Sequence, residues 1–204
     1  MTWTITPKAL QLLLDFEVGG GQTYYERHLR HPTWPGGDSG VTIGIGYDLG
    51  YCTRVEFQSD WHGLDMASRS GLLLVLGIKG SDARESLPAV REFVIPWQLA
   101  LSVFMETVLP RWFQRARAIY PGLESLPGDA QGALVSLVYN RGSSLTGPRR
   151  AEMREIRDLV LSGDLVGIAR QIRQMKRLWA GTSIESGMAR RRDAEADLVE
   201  HAAD

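Results

Sequence analysis

The carboxyl placed most oddly for a structural role is Glu17, which ends the run "PKALQLLLDFE". Leu10, Leu13, Leu14 and Glu17 recur at helical spacing, so a helix over residues 6–17 puts the acid in line with its leucine stripe. Burial disfavours the ionised form of a carboxyl, and the negative end of a helix dipole does the same. Both push towards a neutral acid able to donate a proton near neutral pH. The competing reading is a boundary glutamate salt-bridged to an arginine from the C-terminal helices. A second polar set lies in "SGVTIGIGYDLGY", residues 39–51, where Thr42 and Asp48 are separated by a glycine-perforated stretch. In a single strand, Thr42, Gly44, Gly46 and Asp48 share one face, with hydroxyl and carboxylate at the ends of a bare floor. Glycine inside a strand marks a bulge or a close backbone approach, here expected from an extended ligand. The competing role for Asp48 is a turn aspartate that accepts backbone N–H groups at the strand's end.

The elements that must position these groups are legible in outline. Thr6 is placed to cap the first helix, Pro7 suits its first turn, and Gly19, Gly20 and Gly21 end it. Residues 22–50 form the one β-rich region, with "TYYERHL" and "VTIGIGYDL" as strands and "HPTWPGGDSG" as the loop between them. Residues 51–93 read mostly as helix. Pro96 opens a further helix in which Leu99, Val103 and Val108 fit a buried stripe, and Pro110 is expected to break or kink it. "GDAQGALVSLVYNRGS" reads as a very apolar helix with Asp129 as cap and Gly142 as stop. Two more helices follow, separated by Gly163 and Asp164, and a last one covers about 187–202. The expected class is α+β in one domain, 1–204: a catalytic helix and β region over 1–50, an insertion over 51–95, and a helical body over 96–204.

Composition narrows the function. A net charge of −1 argues against a dedicated nucleic-acid binder. The C-terminal third is nonetheless rich in arginine, including Arg149, Arg150, Arg154 and Arg190 to Arg192. Solvated helix faces paired with nearby acids are the plain reading of these residues, and a basic surface for an anionic polymer is the sharper one. A single cysteine, Cys52, excludes an internal disulfide and a cysteine-based metal site. His28, His31, His62 and His201 lack metal-ligand spacing, so neither a metal nor another cofactor is expected. The sequence carries no evident signal peptide and no run approaching a membrane span. Synthesis in the cytoplasm is expected, without membrane insertion.

Together, a helix ending in glutamate, a short hairpin and "TIGIG" resemble the phage-type lysozymes, the endolysin muramidases. The resemblance continues through "QGALVSLVYNRGS", similar to that family's central helix. It ends with "LWAGTSIESGMARRRDAEADL", like the family's C-terminal tryptophan, glycine and paired arginines. The segments come in family order, with a gap in similarity between about 52 and 95.

The resemblance implies a lysozyme-like fold and cleavage of the β-1,4 bond between N-acetylmuramic acid and N-acetylglucosamine in peptidoglycan. Glu17 matches the catalytic glutamate that protonates the leaving oxygen, and Thr42 matches the threonine that positions water. The partner carboxylate is where the sequence departs from the pattern. Asp48 in "TIGIGYD" resembles the pesticin-type muramidases and ranks first. Asp38, four residues before Thr42, ranks next, and Glu26, nine residues after Glu17, ranks last. A separation from Glu17 of about 6.5–9.5 Å would favour inversion, and about 5 Å retention. Asn140 at the "YNRG" turn is expected to face the cleft, and Tyr47 and Trp34 are candidates for stacking on sugars. Peptidoglycan glycan strands are the expected partner, with delivery by phage lysis, a secretion apparatus or toxin import, and an immunity protein as a further possibility. A glycan-binding module without chemistry and a lytic transglycosylase are the alternatives.

Overall fold

The computed structural model describes residues 5–19 and 21–202. They are mostly helical, with one small two-stranded antiparallel sheet. The chain divides into two compact units, one running from Glu17 to Pro110 and the other comprising the chain up to Phe16 and from Arg111 onward. The seams lie at 16/17 and 110/111. Among the described residues no helix is long and apolar enough to cross a membrane.

In the Glu17–Pro110 unit, "TYYERHL" is not a strand but most of a short helix, α2 (Gln22–His28). Its aromatic content favours a strand, yet its side chains pair at i,i+4. Gln22 Nε2 donates to Glu26 Oε1 at 2.6 Å, and the Tyr24 and His28 rings lie 4.5 Å apart. Only Tyr25 is buried; its ring meets Trp97 at 5.2 Å and its hydroxyl donates to the Ile95 carbonyl.

"VTIGIGYDL" is likewise not one strand. It is a complete hairpin: β1 (Thr42–Ile43), a tip of Gly44, Ile45 and Gly46, and β2 (Tyr47–Asp48). Gly44 and Gly46 adopt φ of 58° and 69°, the left-handed backbone that a three-residue hairpin loop calls for. Ile45 at the tip is turned inward and buried.

Residues 51–93 are mostly short helices joined by turns, as expected. A reciprocal capping box between Thr53 and Glu56 starts α3 (Arg54–Asp60), and Asp65 caps α4 (Met66–Leu72) through Ser68 N. A further short helix, α5 (Gly80–Ser86), follows. Backbone bonds tie this stretch to what precedes it. Gly77 N donates to Leu49 O at 3.0 Å, Gly80 N to Ser39 O at 3.0 Å and Ile95 N to Arg30 O at 2.8 Å.

Pro96 caps α6 (Trp97–Val103), in which Val103 is buried and Leu99 half-buried. A π-helical turn over Phe104–Val108 leads into α7 (Leu109–Ile119). The helix thus runs on past Pro110 instead of breaking, and the irregularity expected of the proline is the π-helical turn just ahead of it.

The other unit is built around α8 (Gly128–Arg141), buried at every position from Ala130 to Val138. Asp129 does not cap this helix; Pro127 occupies the cap position, and Asp129 accepts a hydrogen bond from the Thr6 hydroxyl. The same hydroxyl accepts from Ala9 N at 3.1 Å and so caps α1 (Pro7–Glu17). Gly20 lies outside the described residues. Ala9 lies against Gly132, where a β-carbon on the glycine would overlap the alanine methyl. Gly142 closes α8 at φ 74°. On α8 packs α11 (Glu185–Glu200), on α11 packs α10 (Leu165–Gln174), and on α10 packs α9 (Ala151–Ser162).

Candidate functional site

Thr42 and Asp48 do share a face, but by a different route from strand alternation. Each is the other's direct cross-strand partner in β1 and β2. Thr42 N donates to Thr33 O at 2.8 Å and Thr33 N to Thr42 O at 2.9 Å, so the Thr42 backbone groups point away from Asp48. Thr42 and Asp48 are therefore a non-hydrogen-bonded antiparallel pair, the type with Cα atoms about 4.5 Å apart and side chains closest. Both are half-buried, whereas Val41, Ile43, Tyr47 and Leu49 beside them are buried. The hairpin thus turns its polar pair outward over an apolar underside.

The glycines are not a bare floor for a ligand. A β-carbon on Gly40 would run into the Gly50 backbone and lie 2.6 Å from Asp48 Oδ1. One on Gly44 would lie 2.6 Å from the edge of the Trp61 indole. What comes close to this backbone is the protein itself.

Asp48 Oδ1 accepts from Gly40 N at 2.9 Å and Gly50 N at 2.8 Å, capping the 3-10 turn Leu49–Tyr51. That is the turn-aspartate role weighed from the sequence. Burial pushes the Asp48 carboxyl above the usual carboxylate range, against the pull of the two amides and of Lys79. With Oδ1 taken by two amides, Oδ2 is the oxygen left to hold a water.

Glu17 ends α1 and is half-buried, with its Oε1 shielded from solvent. It belongs to the same unit as Thr42 and Asp48. Asp38 is exposed in its loop, and its carbonyl accepts from the Tyr51 hydroxyl. Glu26 is exposed on α2 and engaged by Gln22. Tyr47 corrects the stacking expectation: it is buried, its ring meets Trp61 edge-on at 5.4 Å, and its hydroxyl donates to Asp60 Oδ2 at 2.7 Å. Trp34 is half-buried and donates from Nε1 to Ser39 O.

Asn140 belongs to the other unit, where its Oδ1 accepts from Arg192 Nη2 at 3.2 Å. It stands next to a charged network that sequence reasoning missed. Arg191, Arg192 and Glu195 are all buried on α11, and Glu195 Oε1 accepts from both arginines and from the Ser136 hydroxyl. Their i,i+3 and i,i+4 spacing was readable, but the burial, and Ser136 as partner, were not. Among the described residues no three His, Cys, Asp or Glu side chains stand together as a metal site. Cys52 is half-buried, and burial pushes its thiol up to about 11. Compared with known proteins, the chain matches no family model and no curated sequence.

Proposed function

We propose that the protein is a peptidoglycan muramidase with a lysozyme-like fold, acting as a bacteriolytic effector, toxin or endolysin that reaches the wall by external delivery. The observation that carries this reading is Glu17: a carboxyl at the end of a helix, one oxygen withdrawn from solvent, in one unit with the Thr42–Asp48 pair. Glu17 would protonate the leaving glycosidic oxygen. Thr42 would hold the attacking water, with Asp48 Oδ2 accepting its proton, and the glycan strand would be the substrate. Asp38 and Glu26 remain as alternative bases.

Engagement of Asp48 Oδ1 by two amides favours a second reading, a lytic transglycosylase, which needs no second carboxylate. Digestion of purified sacculi followed by mass spectrometry separates the possibilities. Reducing muramic ends are expected, and Glu17→Gln is expected to lower their yield at least 100-fold while the melting temperature holds. Anhydro ends would establish the transglycosylase. Absence of fragments from the wild type would leave a glycan-binding module.

A further inference from the structure

Among the described residues, some arginines of the C-terminal third pair with acids and others, Arg154, Arg170 and Arg190 among them, do not. Arg173 pairs with Asp197 and Glu200, Arg177 with Glu152, and Arg191 and Arg192 with Glu195. Arg191 and Arg192 are paired but buried, whereas Arg173 and Arg177 fit the plain reading of solvated, paired helix faces. Arg141, Arg149 and Arg150 do not, since none of the three forms an ion pair with a carboxylate among the described residues.

The three are held in place all the same. Arg141 Nη2 donates to Arg149 O at 2.8 Å, Arg149 Nη2 to Leu178 O at 3.0 Å, and Arg150 Nη1 lies 3.2 Å from Met153 Sδ. The Arg141 guanidinium also sits 5.1 Å from the centre of the Trp179 ring. Loops and helix ends thus fix three cations at the junction between α8 and α9.

Two donors in the same unit, Arg141 Nε and Tyr120 Oη, have no hydrogen-bond partner in the protein. Arg141 Nε is buried although the residue is only half so. Tyr120 Oη is on a fully buried residue whose hydroxyl lies within the electrostatic reach of Arg150, Arg192, Arg141 and Glu195. A buried donor left unmatched is costly, so both call for an acceptor. Burial together with Arg150, Arg192 and Arg149 pushes the Arg141 guanidinium down to about 10. Glu152, the acid that opposes this shift, has Oε1 held by Arg177, while its Oε2 is buried without a hydrogen-bond partner.

We infer that Arg141, Arg149, Arg150 and Tyr120 form a binding site for a small phosphate-type dianion. An oxyanion with several acceptor oxygens meets guanidinium forks and a tyrosine hydroxyl together, and two negative charges suit three unmatched cations. The site lies wholly within the unit that starts again at Arg111 and is independent of the muramidase reading.

Isothermal titration of the full chain with inorganic phosphate tests it, at ionic strength held constant with chloride. Saturable binding is expected, weakened at least 10-fold by Arg141→Gln and by Arg150→Gln, and several-fold by Tyr120→Phe. Arg154→Gln serves as the control, since its guanidinium is spent on the Leu145 and Gly147 carbonyls, and it is expected to bind as the wild type does. Should Arg141→Gln fail to fold, Tyr120→Phe and Arg150→Gln carry the test. Sedimentation with phosphatidic acid vesicles distinguishes a lipid headgroup from free phosphate as the source. No binding in either arm, or binding unchanged in the Arg150 and Tyr120 variants, overturns the site.

Discussion

At position 48 a single oxygen receives hydrogens from two buried glycines, so its removal leaves two amides without an acceptor. Asp48→Ala is expected to lower stability by about 2–4 kcal/mol. Asp48→Asn keeps a carbonyl oxygen in the same place, and its stability is expected to stay within about 1 kcal/mol of wild type. Chemical denaturation checks both, and sacculus digestion by the asparagine variant then reads catalysis free of folding. The pH dependence follows from the raised carboxyl. A group whose native pKa exceeds its unfolded value binds more protons in the native state between the two, so stability falls as pH rises through that interval. The wild-type minus Asp48→Asn stability difference is expected to decline across the interval between the ordinary aspartate pKa and the raised native one, and to level off above it. A difference that rises there would mean the amides and Lys79 outweigh burial.

Helix contacts set a second kind of constraint. Ala9 on α1 and Gly132 on α8 meet so closely that one hydrogen is all the room there is. Gly132→Ala gains helix propensity, worth about 1 kcal/mol, but forces two rigid backbones apart. A net loss of about 1–3 kcal/mol is expected from denaturant melts, with the sequence-favoured gain as the result that would contradict it. The same elements show where sequence reading works. The helices after Pro96 announced themselves through apolar spacing and glycine stops, and α8 and Gly142 fell where expected. The "TYYERHL" segment misled because residue preference pointed to a strand while i,i+4 pairing and one buried tyrosine settled a helix. "TIGIG" misled differently: its glycines suit a bulged strand or a hairpin tip, and only left-handed backbone at Gly44 and Gly46 separates them. Thr42 and Asp48 came out on one face under either reading, because alternation and cross-strand pairing both preserve sidedness.

Over the whole chain, residues far apart in sequence build one unit. The helix that begins at Pro7 belongs with residues beyond 110, joined to them by the Thr6–Asp129 bond and the Ala9–Gly132 contact. A fragment covering 111–204 is accordingly expected to melt without a cooperative transition. Tethering residues 5–16 ahead of it is expected to restore one, as read by circular dichroism. Cooperative melting of the fragment by itself would show that the first helix is dispensable. No periodicity reveals such a discontinuous unit, since it depends on which surfaces meet and not on the pattern within either segment.

The three backbone bonds that reach from residues 77, 80 and 95 back to Leu49, Ser39 and Arg30 bear on protein engineering. Residues 52–95 invite deletion because they lie outside the lysozyme resemblance. Cutting them out would strip partners from carbonyls on both flanks of the hairpin, at Leu49 and Ser39, and would unseat the very turn that holds residue 48. A miniaturised version would have to be rebuilt with substitute donors at those three points; trimming the gene would not suffice.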